Sequence, residues 1–342
     1  MKDYLKILSV QEHSVIPKHV QISNAFLRAI ENGTLIHGDV LPTAKALASA
    51  LHISHKLVER IYAALKEQSI FIRIPRKTSY TVPAEFLRKE KLIVLFNTFS
   101  GPEKLIFDNF AHALTGRYII DFHVYNNDYK SFQQIVTAAL KAEYLKFIII
   151  PSFGGNDDKG YAVINAIPKE KLVIVDQLDA RIEGEFNAVY EDFEKDIYEG
   201  LKQLNEELKK YSTVKLLYPD NCHYPRKIID GFSKYCLDHA FEHNIFTSID
   251  AEVIKQNVVY VCLDENDLIL FVDKVLRTAF QIGTDIGVVS YHDTLVKKFI
   301  RKGITTISID LRGMGNIAAE MVRSNEIKKT LVPCAVISRP SL

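Results

Sequence analysis

Eight short apolar, strand-like runs recur through most of the chain, at 92–96, 118–125, 147–151, 172–176, 214–219, 258–263, 286–291 and 304–310. Amphipathic stretches long enough for a helix separate most of them, for example 193–208 and 264–280. Strands that alternate with helices are joined by crossovers, so the pattern predicts a mostly parallel sheet covered by helices on both faces. Roughly 250 residues of this pattern exceed one ordinary domain core and predict two α/β lobes.

The first ninety residues differ in pattern and in charge. The 342-residue chain has a formal net charge of +1, and 47% of its residues are hydrophobic, which excludes a disordered chain and a small disulfide-stapled scaffold. That neutrality hides a partition: residues 1–90 carry 13 Lys and Arg against 8 Asp and Glu, and the remainder carries 30 against 34. A basic front joined to a mildly acidic rear suggests that only the front meets a polyanion. The cysteines, Cys222, Cys236, Cys262 and Cys334, form no Cys-x-x-Cys pair, and no histidine cluster has zinc spacing, so reduced thiols and no metal are expected. No signal-peptide profile and no membrane-spanning run is present, which predicts a cytoplasmic protein.

Within the front segment, Ile22, Ala25, Phe26, Ala29 and Ile30 recur at helical spacing, and Asn32-Gly33 stops that helix. Pro42-Thr43 opens a short second helix with Leu47, Ala50 and Leu51 inward. Ser54 caps a third, whose apolar stripe is Leu57, Val58, Ile61, Tyr62 and Leu65. Its opposite face carries His55, Lys56, Glu59 and Arg60, donors suited to phosphates and guanine acceptors in a major groove. A strand-like run at 70–74, a turn with Arg76 and Lys77, and a returning strand at 79–82 add a hairpin with a cationic tip. The segment reads as an α+β winged helix-turn-helix that binds DNA, with seven basic and two acidic residues from 41 to 82.

From Pro17 to Val82 the segment resembles the GntR family of winged-helix regulators. The resemblance rests on Ile22, Gly33-Thr34-Leu35, Gly38-Asp39, Leu41-Pro42-Thr43, Leu47-Ala48, Ile53-Ser54, Val58, Ala64-Leu65 and the wing from Ile72 to Tyr80. It implies DNA contacts at Thr43, Lys45, Ser54, His55, Lys56, Arg60, Arg76 and Lys77. The family usually has arginine where this chain has Lys45 and His55, and glycine where Arg76, Lys77 and Thr78 fill the wing.

Residues 83–91, with Pro, Ala, Glu and cations, read as a linker between a DNA-binding domain at 1–82 and an α/β domain at 92–342. Open parallel sheets bind ligands outside the carboxyl ends of their strands. Those ends carry Asn97, Phe99 and Ser100; residues 152–155; Asp176 and Gln177; His223 and Arg226; Asn266 within 264–267; and His292 with Asp293. Such polar groups interleaved with aromatic rings suit a sugar, pairing with its hydroxyls and stacking on its C–H face.

The run Val288-Val289-Ser290-Tyr291-His292-Asp293-Thr294 resembles the ligand loop of LacI-type sugar-binding domains, which have a two-lobed periplasmic-binding-protein-like fold. Matching markers follow at 173–176, 189–192, Gly231-Phe232, Glu265-Asn266-Asp267, 304–306 and 310–315. The resemblance implies sugar contacts at Asp176 and His292, the latter usually aspartate, and places Arg226 two residues from the family's arginine. A GntR-type head on a LacI-type sensor is similar to arabinose- or fucose-type repressors. It implies a homodimer on a palindromic operator, repressing until a small sugar such as L-arabinose or L-fucose closes the lobes, with no cofactor. The competing class is an α/β enzyme acting on a sugar or nucleotide, but no Gly-x-Gly-x-x-Gly, Gly-Lys-Ser/Thr or Gly-x-Ser-x-Gly motif is present, so no enzyme is expected.

Overall fold

The structure is a computed structural model that describes residue 8 and residues 17–75, 77–83, 90–155, 157–220, 222, 224–324 and 326–342. Arg76, His223 and positions 84–89 of the expected linker lie outside the described residues. The chain divides into two compact units, Met1–Glu90 with Gly116–Ile119, and Lys91–Thr115 with Ile120–Leu342.

The first unit contains α1 (Lys18–Glu31), α2 (Ala44–Ala50), α3 (His55–Glu67) and a hairpin of β1 (Ile72–Arg73) and β2 (Tyr80–Thr81). Each boundary follows from local chemistry. Asn32 and Gly33 end α1, the glycine taking a φ of +74° that a side chain disfavours. Thr43 Oγ1 accepts from the Ala46 N–H at 3.2 Å, and Ser54 Oγ from the Leu57 N–H at 3.2 Å, so both helices start on a capped turn. Phe26, Tyr62 and Phe71 fill the core, with Phe26 and Phe71 edge-on at 5.2 Å. The hairpin is antiparallel, with Ile72 opposite Thr81 and Arg73 opposite Tyr80. Ser54→Ala is expected to destabilise this unit by about 1 kcal/mol, seen as a lower urea midpoint for the unit's transition in the full chain.

The second unit begins with β3 (Glu90–Phe96), whose first residues fall inside the expected linker. It continues with α4 (Gly101–Ala113), β4 (Tyr118–Val124), α5 (Tyr129–Ala139), β5 (Tyr144–Ile149), α6 (Asp157–Asn165), β6 (Leu172–Gln177) and β7 (Asn187–Glu191). After these come α7 (Phe193–Gln203), α8 (Asn205–Leu208), β8 (Thr213–Leu217), α9 (Lys227–Asp238), β9 (Glu242–Phe246), β10 (Val258–Cys262) and α10 (Glu265–Leu276). The last elements are β11 (Gly287–Tyr291), α11 (Leu295–Phe299), β12 (Thr305–Ile309), α12 (Leu311–Arg323), β13 (Lys329–Leu331) and β14 (Cys334–Ile337).

Two six-stranded sheets result, ordered β4-β3-β5-β6-β7-β13 and β9-β8-β10-β11-β12-β14. Pairing is parallel through β3, β5, β6, β7 and β13 and through β9, β8, β10, β11 and β12, whereas β14 joins β12 antiparallel. The chain passes between the lobes three times, at 191–193, 309–311 and 331–334. The interior strands β10, β11 and β12 are buried along their whole length, which is why they read as continuous apolar runs.

Four strands escape the sequence pattern: β7 has polar ends, β9 and β14 alternate between covered and exposed residues, and β13 is three residues long. The stretch 193–208 breaks at Leu204 into two helices, and 264–280 stays helical only to Leu276. Two close approaches set helix spacing. A Cβ on Gly231 of α9 would lie 2.0 Å from the Glu194 carbonyl oxygen of α7, and one on Gly315 of α12 would lie 2.3 Å from that of Ile106 on α4. No helix among the described residues is long and apolar enough to cross a membrane.

Candidate functional site

Both sheets present polar residues at the carboxyl ends of their strands. Asn97 follows β3, Ser152 follows β5, Asp176 and Gln177 end β6, Glu191 ends β7, and His292 follows β11. A cavity of about 330 Å³ opens among them, lined by Ser152, Gln177, Asp179, Arg181, Glu191 and Tyr224, with Lys227 at its edge. A second pocket of about 10 Å³ shares Gln177 and Tyr224 with it and is lined also by Asn97, Glu103, Asp176 and His292. This is the switch-point location expected of ligand sites in such sheets.

A hydrogen-bonded cluster sits at the join. Tyr291 donates its hydroxyl to Glu191 Oε2 at 2.6 Å, His292 Nε2 lies 2.8 Å from Glu191 Oε1, and Tyr224 Oη lies 3.3 Å from His292 Nδ1. Burial pushes the Glu191 carboxyl up to about 8 and the His292 imidazole down to about 4, each away from its charged form. Burial, with Glu191 beside it, also raises Asp176 well above the usual carboxylate range, and the two carboxyl groups hydrogen bond to each other. Donor atoms of Asp176, Glu191 and His292 lie within 4.8 Å of one another. Asp176 and His292 hold left-handed backbone, with φ of +73° and +58°, a conformation uncommon for residues with side chains and frequent at sites where a side chain must be aimed.

Other groups brace the cluster. Glu103, in the first turn of α4, accepts from the Ser100 N–H at 2.8 Å and the Ser100 hydroxyl at 2.6 Å, a capping box that points its carboxyl at the inner pocket's wall. Buried Lys297 donates to the carbonyls of Tyr291 at 2.6 Å and His292 at 2.9 Å, fixing the turn that carries the imidazole. Burial pulls its ammonium down to about 8. Arg181 pairs with Asp179 at 2.8 Å and Asp158 at 2.9 Å and lies over the Tyr161 ring at 4.3 Å, on the lining of the cavity.

Of the seven effector positions read from the sequence, Asp176 and His292 come together here, and Ser100 reaches the pocket through Glu103. The other four lie off the two pocket linings. Phe99 packs with Phe107 and Phe122, its ring centroid 5.0 Å from that of Phe122. Arg226 is exposed at the start of α9, where Pro225 and Lys227 line the cavity instead. Asn266 is exposed in the first turn of α10, its N–H bound to Asp264 Oδ1 at 2.7 Å. Asp293 is turned to a bidentate pair with Arg339, at 2.6 and 2.9 Å. Glu191, Glu103, Tyr224 and Lys297 were missed. The run 189–192 marked the position of Glu191, but nothing in its spacing announced a buried acid.

In the first unit, Thr43 and Ser54 are spent on helix caps, and Lys45, His55, Lys56 and Arg60 are exposed on α2 and α3. Lys45 and His55 line one open surface groove with Ser49 and His52, and His55 Nδ1 lies 3.6 Å from a Glu59 carboxylate. Lys77 is exposed in the β1–β2 turn, its carbonyl accepting from Arg73 Nε at 3.3 Å.

No protein-family profile and no curated protein sequence matches the chain. Solved structures do match it. The trehalose repressor from Escherichia coli is 14% identical with a TM-score of 0.59, covering 73% of this chain and 100% of that one. The second unit has a periplasmic-binding-protein-like two-lobe fold. The lactose repressor bound to the anti-inducer ONPF is 16% identical with a TM-score of 0.59, covering 73% of this chain and 99% of that one. A periplasmic binding protein/LacI transcriptional regulator from Alkaliphilus metalliredigens, complexed with D-xylulofuranose, is 9% identical with a TM-score of 0.60, covering 74% and 99%. The cluster joins the two sheets across the cleft between them, with Glu191 at a strand end of one and Tyr291 and His292 at a strand end of the other.

Proposed function

We propose that the protein is a DNA-binding transcription regulator whose second unit senses a small sugar in the cleft. The observation that carries this reading is the convergence of Gln177, Asp179, Arg181, Glu191 and Tyr224 on one cavity at the carboxyl ends of both sheets. Acceptors, donors and a ring face meet there as a polyhydroxylated ligand needs. Repressors and a sugar-bound regulator among the similar folds agree with it. The first unit supports the other half of the reading. Three helices followed by an antiparallel hairpin, with Lys45, Lys56 and Arg60 exposed and Lys77 on the hairpin turn, support reading it as a winged helix-turn-helix of the GntR type.

The finer reading is a homodimeric repressor released by a pentose or 6-deoxyhexose such as L-arabinose or L-fucose. Ligand that binds the closed lobes better shifts the dimer toward one spacing of its recognition helices and changes operator fit. A thermal-shift panel of free sugars, nucleotides and phosphorylated metabolites tests the sensor: one free sugar should raise the melting temperature, and a phosphate ester as the sole hit would refute it. Asp176→Ala is expected to lose at least about 10-fold in affinity for that sugar, because Asp176 adjoins Glu191, which lines the larger cavity, while DNA affinity without sugar persists. Fluorescence anisotropy with labelled operator, with and without the sugar, checks both outcomes.

A further inference from the structure

We propose that Asp176, Glu191 and His292, with the side-chain carbonyl of Asn97, form a site for one divalent transition-metal ion at the floor of the cleft. The three donors lie within 4.8 Å of one another. Donors at about 2.1 Å from a tetrahedral ion lie about 3.4 Å apart, so closing the trio needs up to about 1.4 Å of movement between the widest pair. The second observation is independent of the cluster. Asn97 is 1% exposed and lines the same inner pocket; its amide nitrogen donates to Asn127 Oδ1 at 3.1 Å, and its own Oδ1 has no hydrogen-bond partner among the described residues. A buried acceptor without a donor costs about 1–3 kcal/mol, and a cation satisfies it. The pocket's volume of about 10 Å³ holds one atom-sized occupant and no larger ligand.

Charge points the same way. Glu103 and Asp176 line the inner pocket and Glu191 adjoins them, carboxyl groups that a bound cation would hold ionised, and three of the cations nearby are committed to other groups. Arg339 is bound to Asp293, Arg181 to Asp158 and Asp179, and Lys297 to two backbone carbonyls. Outer contacts also suit a ligand set: Tyr224 engages His292 Nδ1, leaving Nε2 toward Glu191, and Tyr291 holds the far Glu191 oxygen. One imidazole nitrogen, carboxylate and amide oxygens and no thiolate favour ions of the Zn²⁺ or Mn²⁺ kind. The ligands come from the ends of four strands, β3, β6, β7 and β11, spread from residue 97 to residue 292, so no short spacing motif reveals them.

The test uses the full chain, stripped with a chelator, in equilibrium dialysis against Zn²⁺, Mn²⁺ and Mg²⁺ without sugar or DNA, so its outcome is separate from that of the regulator reading. The expected result is saturable uptake of one Zn²⁺ or Mn²⁺ per chain, weakened at least about tenfold in Asp176→Asn and in His292→Gln. Absence of such uptake, or equal uptake by a folded Asp176→Asn/His292→Gln double variant, overturns the proposal. A second reading needs no variant: Co²⁺ bound to the unmodified chain should show d–d bands of nitrogen and oxygen ligation. A strong thiolate charge-transfer band would place the ion at cysteine and overturn the site.

Discussion

Replacing Gly231 with alanine is expected to destabilise the second unit by about 3 kcal/mol, the upper end of ordinary overpacking in a close-packed core. The new methyl would sit 2.0 Å from the Glu194 carbonyl oxygen and 2.7 Å from an Ile197 methyl, both on α7. The oxygen belongs to helix backbone and cannot rotate away, so relief requires α7 and α9 to separate. Those helices share the core built on Ile197, Leu201, Ile228 and Phe232, and opening that contact exposes all four. Urea unfolding of the full chain should show a lower midpoint with little change in slope. A midpoint within error of the unmodified chain would mean that the two helices slide without loss of packing.

The second large effect concerns DNA. The Lys56→Ala/Arg60→Ala double variant is expected to bind operator or mixed-sequence DNA about 100-fold more weakly, each side chain contributing roughly 1–3 kcal/mol if it reaches a base edge or phosphate. Both residues are exposed on α3 and neither contributes to the core of the first unit, so the helix should fold unchanged. The salt dependence distinguishes the two kinds of contact: lost phosphate contacts flatten the slope, and lost base contacts leave it nearly intact. Affinity unchanged in anisotropy titrations at modest ionic strength would remove α3 from the interface.

Legibility from sequence followed physical environment. Strands covered on both faces, such as β6, β10 and β11, were plain because burial demands unbroken apolar runs. The capped starts of α2 and α3 were plain because Thr43 and Ser54 bond within their own turn. The edge strands β9 and β14 were not, since half their residues face outward and their register depends on neighbours far away in the chain. The cleft was half legible. Asp176 and His292 stand directly after strongly apolar strands, where polar residues catch the eye. Glu191 ends a strand with a polar start, and its partners Tyr291 and His292 are 100 and 101 positions away, so only the folded topology shows that it is central. Conversely, Asn266 and Asp293 had the right composition for a ligand site and serve local ends: an N-terminal turn organised by Asp264, and an anchor for Arg339.

The threefold passage of the chain between its lobes has a consequence for biosynthesis. Neither lobe is finished until the end of the chain, because β7 of the first receives β13, and β12 of the second receives β14, only from residues 329–337. Until residues 329–331 leave the ribosome, the outer margin of β7 offers unsatisfied amides and carbonyls to any nascent neighbour. A premature stop near residue 325 would therefore leave two incomplete lobes rather than one intact and one damaged, and the product would be a substrate for proteases and for aggregation.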